Sequence, residues 1–61
     1  MKRSSLVKGK RYEWYINNYE NKKKNGLFTG EFDINGCALL LTRNGESWSV
    51  PVDKLMKYHK E

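Results

Sequence analysis

The stretch Gly30-Glu31-Phe32-Asp33-Ile34-Asn35-Gly36-Cys37-Ala38-Leu39-Leu40-Leu41-Thr42-Arg43-Asn44-Gly45-Glu46-Ser47-Trp48-Ser49-Val50 decides the fold. It holds two Asn-Gly dipeptides nine residues apart, and a third, Asn25-Gly26, stands ten residues before the first of them. Asn-Gly between alternating apolar residues is the strongest short-range hairpin signal, because a two-residue type I′ turn needs positive φ at both central positions. Turn signals at such intervals belong to small all-β domains.

A two-residue turn sets strand register, so each hairpin can be written out. A tight turn at Asn35-Gly36 pairs Ile34 with Cys37, Phe32 with Leu39 and Gly30 with Leu41 on one face. It pairs Asp33 with Ala38, Glu31 with Leu40 and Thr29 with Thr42 on the other. A tight turn at Asn44-Gly45 pairs Arg43 with Glu46, Leu41 with Trp48 and Leu39 with Val50. Both turns select one inward face, namely Phe28, Phe32, Ile34, Cys37, Leu39, Leu41, Trp48 and Val50. Ala38, Leu40 and Leu27 then fall on the outer face. Gly30, in mid-strand on the inward face, predicts a bend, a bulge or a close backbone approach.

Upstream, Lys10-Arg11-Tyr12-Glu13-Trp14-Tyr15-Ile16 alternates as a first strand bounded before by Gly9, with Tyr12, Trp14 and Ile16 on one face and Arg11, Glu13 and Tyr15 on the other. Residues 17–24 show no alternation and few β-formers, so 17–26 reads as a long, polar, basic loop closed by Asn25-Gly26. Downstream, Pro51 cannot donate to a ladder, so it ends the fourth strand or kinks it at an edge. Val52-Asp53-Lys54-Leu55 reads as a short helical turn, and Met56 to Tyr58 as a last short strand or a frayed end.

The order is therefore strand, long loop, bent strand, tight turn, strand, tight turn, strand, helical turn, short strand. With Gly9-Lys10-Arg11-Tyr12 opening it, Phe28-Thr29-Gly30-Glu31-Phe32-Asp33 as the bent strand and Trp48-Ser49-Val50-Pro51-Val52-Asp53-Lys54-Leu55 closing it, the chain resembles the SH3-like small β-barrel over roughly residues 7–58. The resemblance implies an all-β, five-stranded antiparallel meander forming one domain over residues 1–61. Compact stand-alone barrels of this kind occur in phage and mobile-element proteins. The Sm-like barrel is the second resemblance, through Gly30-Glu31-Phe32-Asp33, although the N-terminal helix of that fold is absent. The acidic and aromatic pattern with which SH3 domains grip Pro-rich ligands is missing, and the long loop is basic instead.

Composition narrows the function classes. The 61 residues carry a net charge of +5. Residues 1–24 hold eight of the twelve Lys/Arg against Glu13 and Glu20, whereas residues 25–61 hold four basic residues against five acidic ones. Such asymmetry points to an anionic partner, with nucleic acid the commonest. Cys37 is the only cysteine and His59 the only histidine, so neither a disulfide nor a usual zinc site is expected, and a free thiol fits a reducing compartment. No run approaches the roughly 20 apolar residues of a membrane span. Met1 to Lys10 lacks an apolar signal core. The expectation is a cytoplasmic protein with no cofactor.

No catalytic constellation is legible. Glu31 and Asp33 share a solvated strand face, His59 lies near the chain end, and Cys37 at an inward position behaves as a small hydrophobe. The chain reads as a non-enzymatic binding module. The nucleic-acid candidates are Lys22, Lys23, Lys24 and Tyr19 in the long loop, with Lys8, Lys10, Arg11 and Tyr15 at and in the first strand. Lysines neutralise phosphates and tyrosines offer stacking faces to unpaired bases. The alternative is a protein-binding module, a homodimer included, that docks through Leu27, Ala38 and Leu40 or through an edge strand.

Overall fold

Five strands form one antiparallel sheet in the computed structural model of the chain, which describes residues 2–17 and 22–58. They are β1 (Arg11–Asn17), β2 (Lys22–Phe32), β3 (Ala38–Leu41), β4 (Ser47–Val50) and β5 (Met56–Lys57), in the spatial order β4-β3-β2-β1-β5. The only helical pieces among the described residues are 3₁₀ turns at Arg3–Ser5 and Val52–Lys54. None is long and apolar enough to cross a membrane. The sheet is not closed into a barrel: β4 and β5 are its two edges. Pro51 ends β4 as the sequence predicts, and the Val52–Lys54 turn is fastened by the Lys54 N–H donating to the Pro51 carbonyl at 2.9 Å.

The two central hairpins form at the predicted places with a different register. In the first, Asp33 faces Cys37 through the Asp33 N–H donating to the Cys37 carbonyl (2.9 Å), and the Gly36 N–H donates to the Asp33 carbonyl (3.0 Å). The loop is thus three residues, Ile34-Asn35-Gly36, with Gly36 in the left-handed region at φ +81°. The second hairpin repeats it. The Thr42 N–H donates to Glu46 (2.9 Å), the Gly45 N–H donates to Thr42 (3.1 Å), and Gly45 has φ +87°. Each glycine is the third loop residue of a turn-plus-bulge connection, rather than the second residue of a type I′ turn.

Side chains flanking the loops explain this choice. Asp33 Oδ1 accepts from the N–H groups of Asn35 (2.9 Å) and Cys37 (2.8 Å). Thr42 Oγ1 accepts from the Glu46 N–H (3.1 Å) and donates to Asn44 Oδ1. Asp or Thr at the first position, with glycine three residues on, is the signature of a type I turn.

One extra loop residue slips the pairing by one and turns β3 over. Phe32 pairs with Ala38 and Phe28 with Leu40, while Leu40 faces Trp48 and Ala38 faces Val50. Ala38 and Leu40 are therefore fully buried, and Leu41 is 43% exposed. This corrects the expected inward face: Leu39 is half-buried, Ile34 is an exposed loop tip, and Cys37 is half-buried beside its turn. Phe28, Phe32, Trp48 and Val50 keep their inward places, because the slip turns over β3 alone and leaves the faces of β2 and β4 as expected. The core is Tyr12, Trp14, Phe28, Ala38, Leu40, Val50 and Leu55, with Leu6, Phe32, Trp48 and Val52 packed on it.

Gly30 marks a bulge, as predicted. Between the pairs Phe28–Leu40 and Phe32–Ala38, three residues of β2 face Leu39 alone. Two extra residues preserve the alternation, so both phenylalanines stay inside, with ring centroids 5.4 Å apart. Gly30 itself has φ +91° and is exposed rather than inward. The expected loop over residues 17–26 is also corrected. Lys22 to Gly26 lie in β2 and pair with β1, through Asn17–Lys22, Tyr15–Lys23, Trp14–Lys24, Glu13–Asn25 and Tyr12–Gly26.

The register has a mutational signature. Leu40→Ala should lower stability by about 2–5 kcal/mol, whereas Leu41→Ala should change it by less than about 0.5 kcal/mol. Urea unfolding followed by tryptophan fluorescence ranks the two variants. The opposite ranking would mean that two-residue turns set the faces after all.

Candidate functional site

The alternation of β1 and its register with β2 build a basic and aromatic face on the outer side of the sheet. Arg11, Glu13 and Tyr15 point to that side from β1, opposite Leu27, Asn25 and Lys23 of β2. Arg11 donates from its guanidinium to Asn25 Oδ1 at 2.7 Å and lies 5.8 Å from the centre of the Tyr58 ring. Lys23 places its Nζ 3.2 Å from Glu13 Oε2 and 5.6 Å from the centre of the Tyr15 ring. Glu13 is the one carboxylate of β1. It is 6% exposed, so its charge is matched by Lys23 rather than offered to solvent.

Lys24 goes to the other side of the sheet. It faces Trp14, and its Nζ sits 4.9 Å over the Trp48 ring and 3.2 Å from Glu46 Oε1. The lysine stem covers the indole while the head reaches its counter-ion, a common use of an amphipathic side chain. Hydrogen bonding from Lys24, with its charge, holds the Glu46 carboxyl below its ordinary value of 4.5.

The eight predicted nucleic-acid residues are therefore divided. Arg11, Tyr15 and Lys23 meet on one face, with Lys22 at its border opposite Asn17. Lys24 is inside the fold's other face. Lys8 packs its stem against the Gly30 bulge, where a Cβ would come within 2.9 Å of the lysine Cδ, at the opposite end of β2. Lys10 is exposed just before β1, its carbonyl accepting from the Phe28 N–H at 3.0 Å. Tyr19 lies outside the described residues.

Of the three residues proposed for protein docking, Ala38 and Leu40 are in the core, a correction that follows from the hairpin slip. Leu27 is 38% exposed, and its direct cross-strand neighbour on the outer side is Leu41. The exposed pair is therefore Leu27 and Leu41, a patch legible only once the register is known.

A feature absent from the sequence reading lies between the C-terminal half of β1 and the edge strand β4. A cleft of about 150 Å³ opens there, walled by Trp14, Tyr15 and Ile16 on one side and by Trp48, Val50 and Pro51 on the other, with Ser49 and Lys54 at its rim. The Trp14 and Trp48 rings lie 6.1 Å apart, inclined at 51°. Trp14 is 2% exposed, and its Nε1 is buried without a hydrogen-bond partner. Among the described residues no cluster of three potential metal ligands occurs.

Two consequences are measurable. A double-mutant cycle on Glu13→Gln and Lys23→Gln should return a coupling of about 1 kcal/mol, because one partner is buried and the other half-exposed. An additive cycle would remove Lys23 from the role of counter-ion. The Lys24–Glu46 pair stabilises the fold above pH 4.5 and ceases to do so as pH falls through the lowered carboxyl value. Lys24→Gln should therefore lower the melting temperature more at neutral pH than in acid, whereas an equal loss at both would assign Lys24 a packing role alone.

Comparison of the chain with protein-family models, with curated proteins and with solved structures finds no match in any of the three.

Proposed function

We propose that this protein binds nucleic acid through the outer face of β1 and β2. The observation that supports this most is the register that sets Arg11, Tyr15 and Lys23 on one face, with Lys22 exposed at the start of the same strand as Lys23. The only carboxylate of β1 on that side is buried and paired with Lys23, so what that face offers a phosphate chain is Arg11 and the Tyr15 ring. The net charge of +5 adds long-range attraction to a polyanion. We also propose, from the strand order and the 3₁₀ turn before β5, that the sheet belongs to the SH3-like small-barrel type, a scaffold that hosts many unrelated binding sites.

A fluorescein-labelled single-stranded oligonucleotide, titrated with protein at several salt concentrations, tests the proposal by anisotropy. Affinity should fall linearly on logarithmic axes, with a slope of about −0.7 per phosphate contact. Lys22→Ala and Arg11→Ala should each flatten that slope. Binding that is absent at low salt, or indifferent to salt, would overturn the proposal.

A second reading has one observation in its favour, the exposed Leu27–Leu41 pair. If that pair docks a protein, or a second copy of this chain, Leu41→Asp abolishes the association without unfolding the domain.

A further inference from the structure

We infer that the cleft between β1 and β4 is a base-binding pocket, which takes one unpaired pyrimidine of a single strand. This rests on the nucleic-acid reading above and extends it from the phosphate chain to the base.

The first ground is the buried Trp14 N–H. It has no partner within the protein, and Trp14 is one of the walls of the cleft. A buried donor left unpaired is costly, so a site that supplies an acceptor stabilises the protein as well as the ligand. A pyrimidine ring carries such an acceptor in its O2 carbonyl, whichever pyrimidine it is.

The second ground is the polarity of the lining. Besides hydrophobic walls the lining includes Lys54 and the hydroxyl-bearing Tyr15 and Ser49, with no carboxylate among the lining residues; the Trp48 indole N–H is engaged by Glu46. Hydroxyls and a cation in the lining match an acceptor-bearing ring on an anionic chain. Lys54 is exposed and forms no ion pair among the described residues, which leaves it available to the adjoining phosphate. Two more cations flank the same rings, Lys23 at Tyr15 and Lys24 at Trp48.

The third ground is size. A cavity of ~150 Å³ accommodates a single six-membered ring, and this cleft has about that volume. Three aromatic side chains border it, and aromatic faces are what bind unpaired bases without a duplex. Tyr15 belongs both to the cleft and to the basic outer face, so a strand crossing that face is led to the pocket around one residue.

Nitrogen-15 NMR of the full chain, titrated in parallel with a ten-nucleotide oligo(dT), an oligo(dA) of equal length and a duplex of the two, tests the inference. The Trp14 and Trp48 indole N–H resonances are the readout, told apart by a Trp48→Phe variant. Oligo(dT) should shift the Trp14 indole resonance, oligo(dA) and duplex should not, and Lys54→Ala should weaken oligo(dT) several-fold while leaving duplex affinity unchanged. Salt-dependent binding of all three nucleic acids with the Trp14 indole resonance unmoved would overturn the pocket and leave the outer-face proposal standing. No binding of any of them at low salt would overturn both. A shift of the same resonance by a short peptide with an apolar residue before its C-terminal carboxylate, and none by oligo(dT), would reassign the cleft to peptide and so also overturn the inference.

Discussion

The left-handed backbone at Gly36 and Gly45 is the constraint on which the rest of the structure depends. Each glycine closes a three-residue hairpin loop, and each loop is pinned by the side chain that precedes it, Asp33 in one case and Thr42 in the other. Side-chain period in a strand is two, so loop length decides which face of β3 is buried. With three residues in each loop, Ala38 and Leu40 enter the core and Leu41 leaves it. Leu40 then meets Phe28 on one side and Trp48 on the other, and Trp48 reaches Trp14 across the top of the core. The cleft is a consequence of that arrangement, because its walls are the ends of β1 and β4 that the two tryptophans hold near each other.

Much of the fold is legible in the chain. The alternation Tyr12, Trp14 against Arg11, Glu13, Tyr15 fixes both faces of β1; Pro51 ends β4; Gly30 marks a bulge. The register of β3 was not recoverable from internal consistency. Two hairpins with the same kind of loop slip by the same one residue, so their mutual agreement survives the error. The signal that separates the cases is local: Asp33 and Thr42 stand three residues before glycine, where a type I turn wants them. The barrel is a different matter, since edge strands β4 and β5 remain unpaired with each other and closure depends on curvature that no short sequence pattern carries.

The lysine run shows why charge alone misplaces a site. Lys22-Lys23-Lys24 has no apolar alternation and so resembles a loop. In the sheet it alternates by counter-ion instead, with Lys23 serving Glu13 on the outer side and Lys24 serving Glu46 and Trp48 on the inner side. Part of the positive charge therefore acts within the fold. What remains for a polyanion is a smaller set, Arg11 with Tyr15, and Lys54 at the cleft. The unpartnered Trp14 N–H could not be read from sequence, because Trp14 looks like any core residue until its neighbours are known.

Cross-strand nuclear Overhauser effects measure the central constraint most directly. The account predicts contacts between the backbone protons of Leu40 and Trp48, and of Phe28 and Leu40, with the Leu41 side chain showing none to the core aromatic rings. Contacts joining Leu41 to Trp48 and Leu39 to Val50 would contradict it, and with it the faces, the core and the cleft.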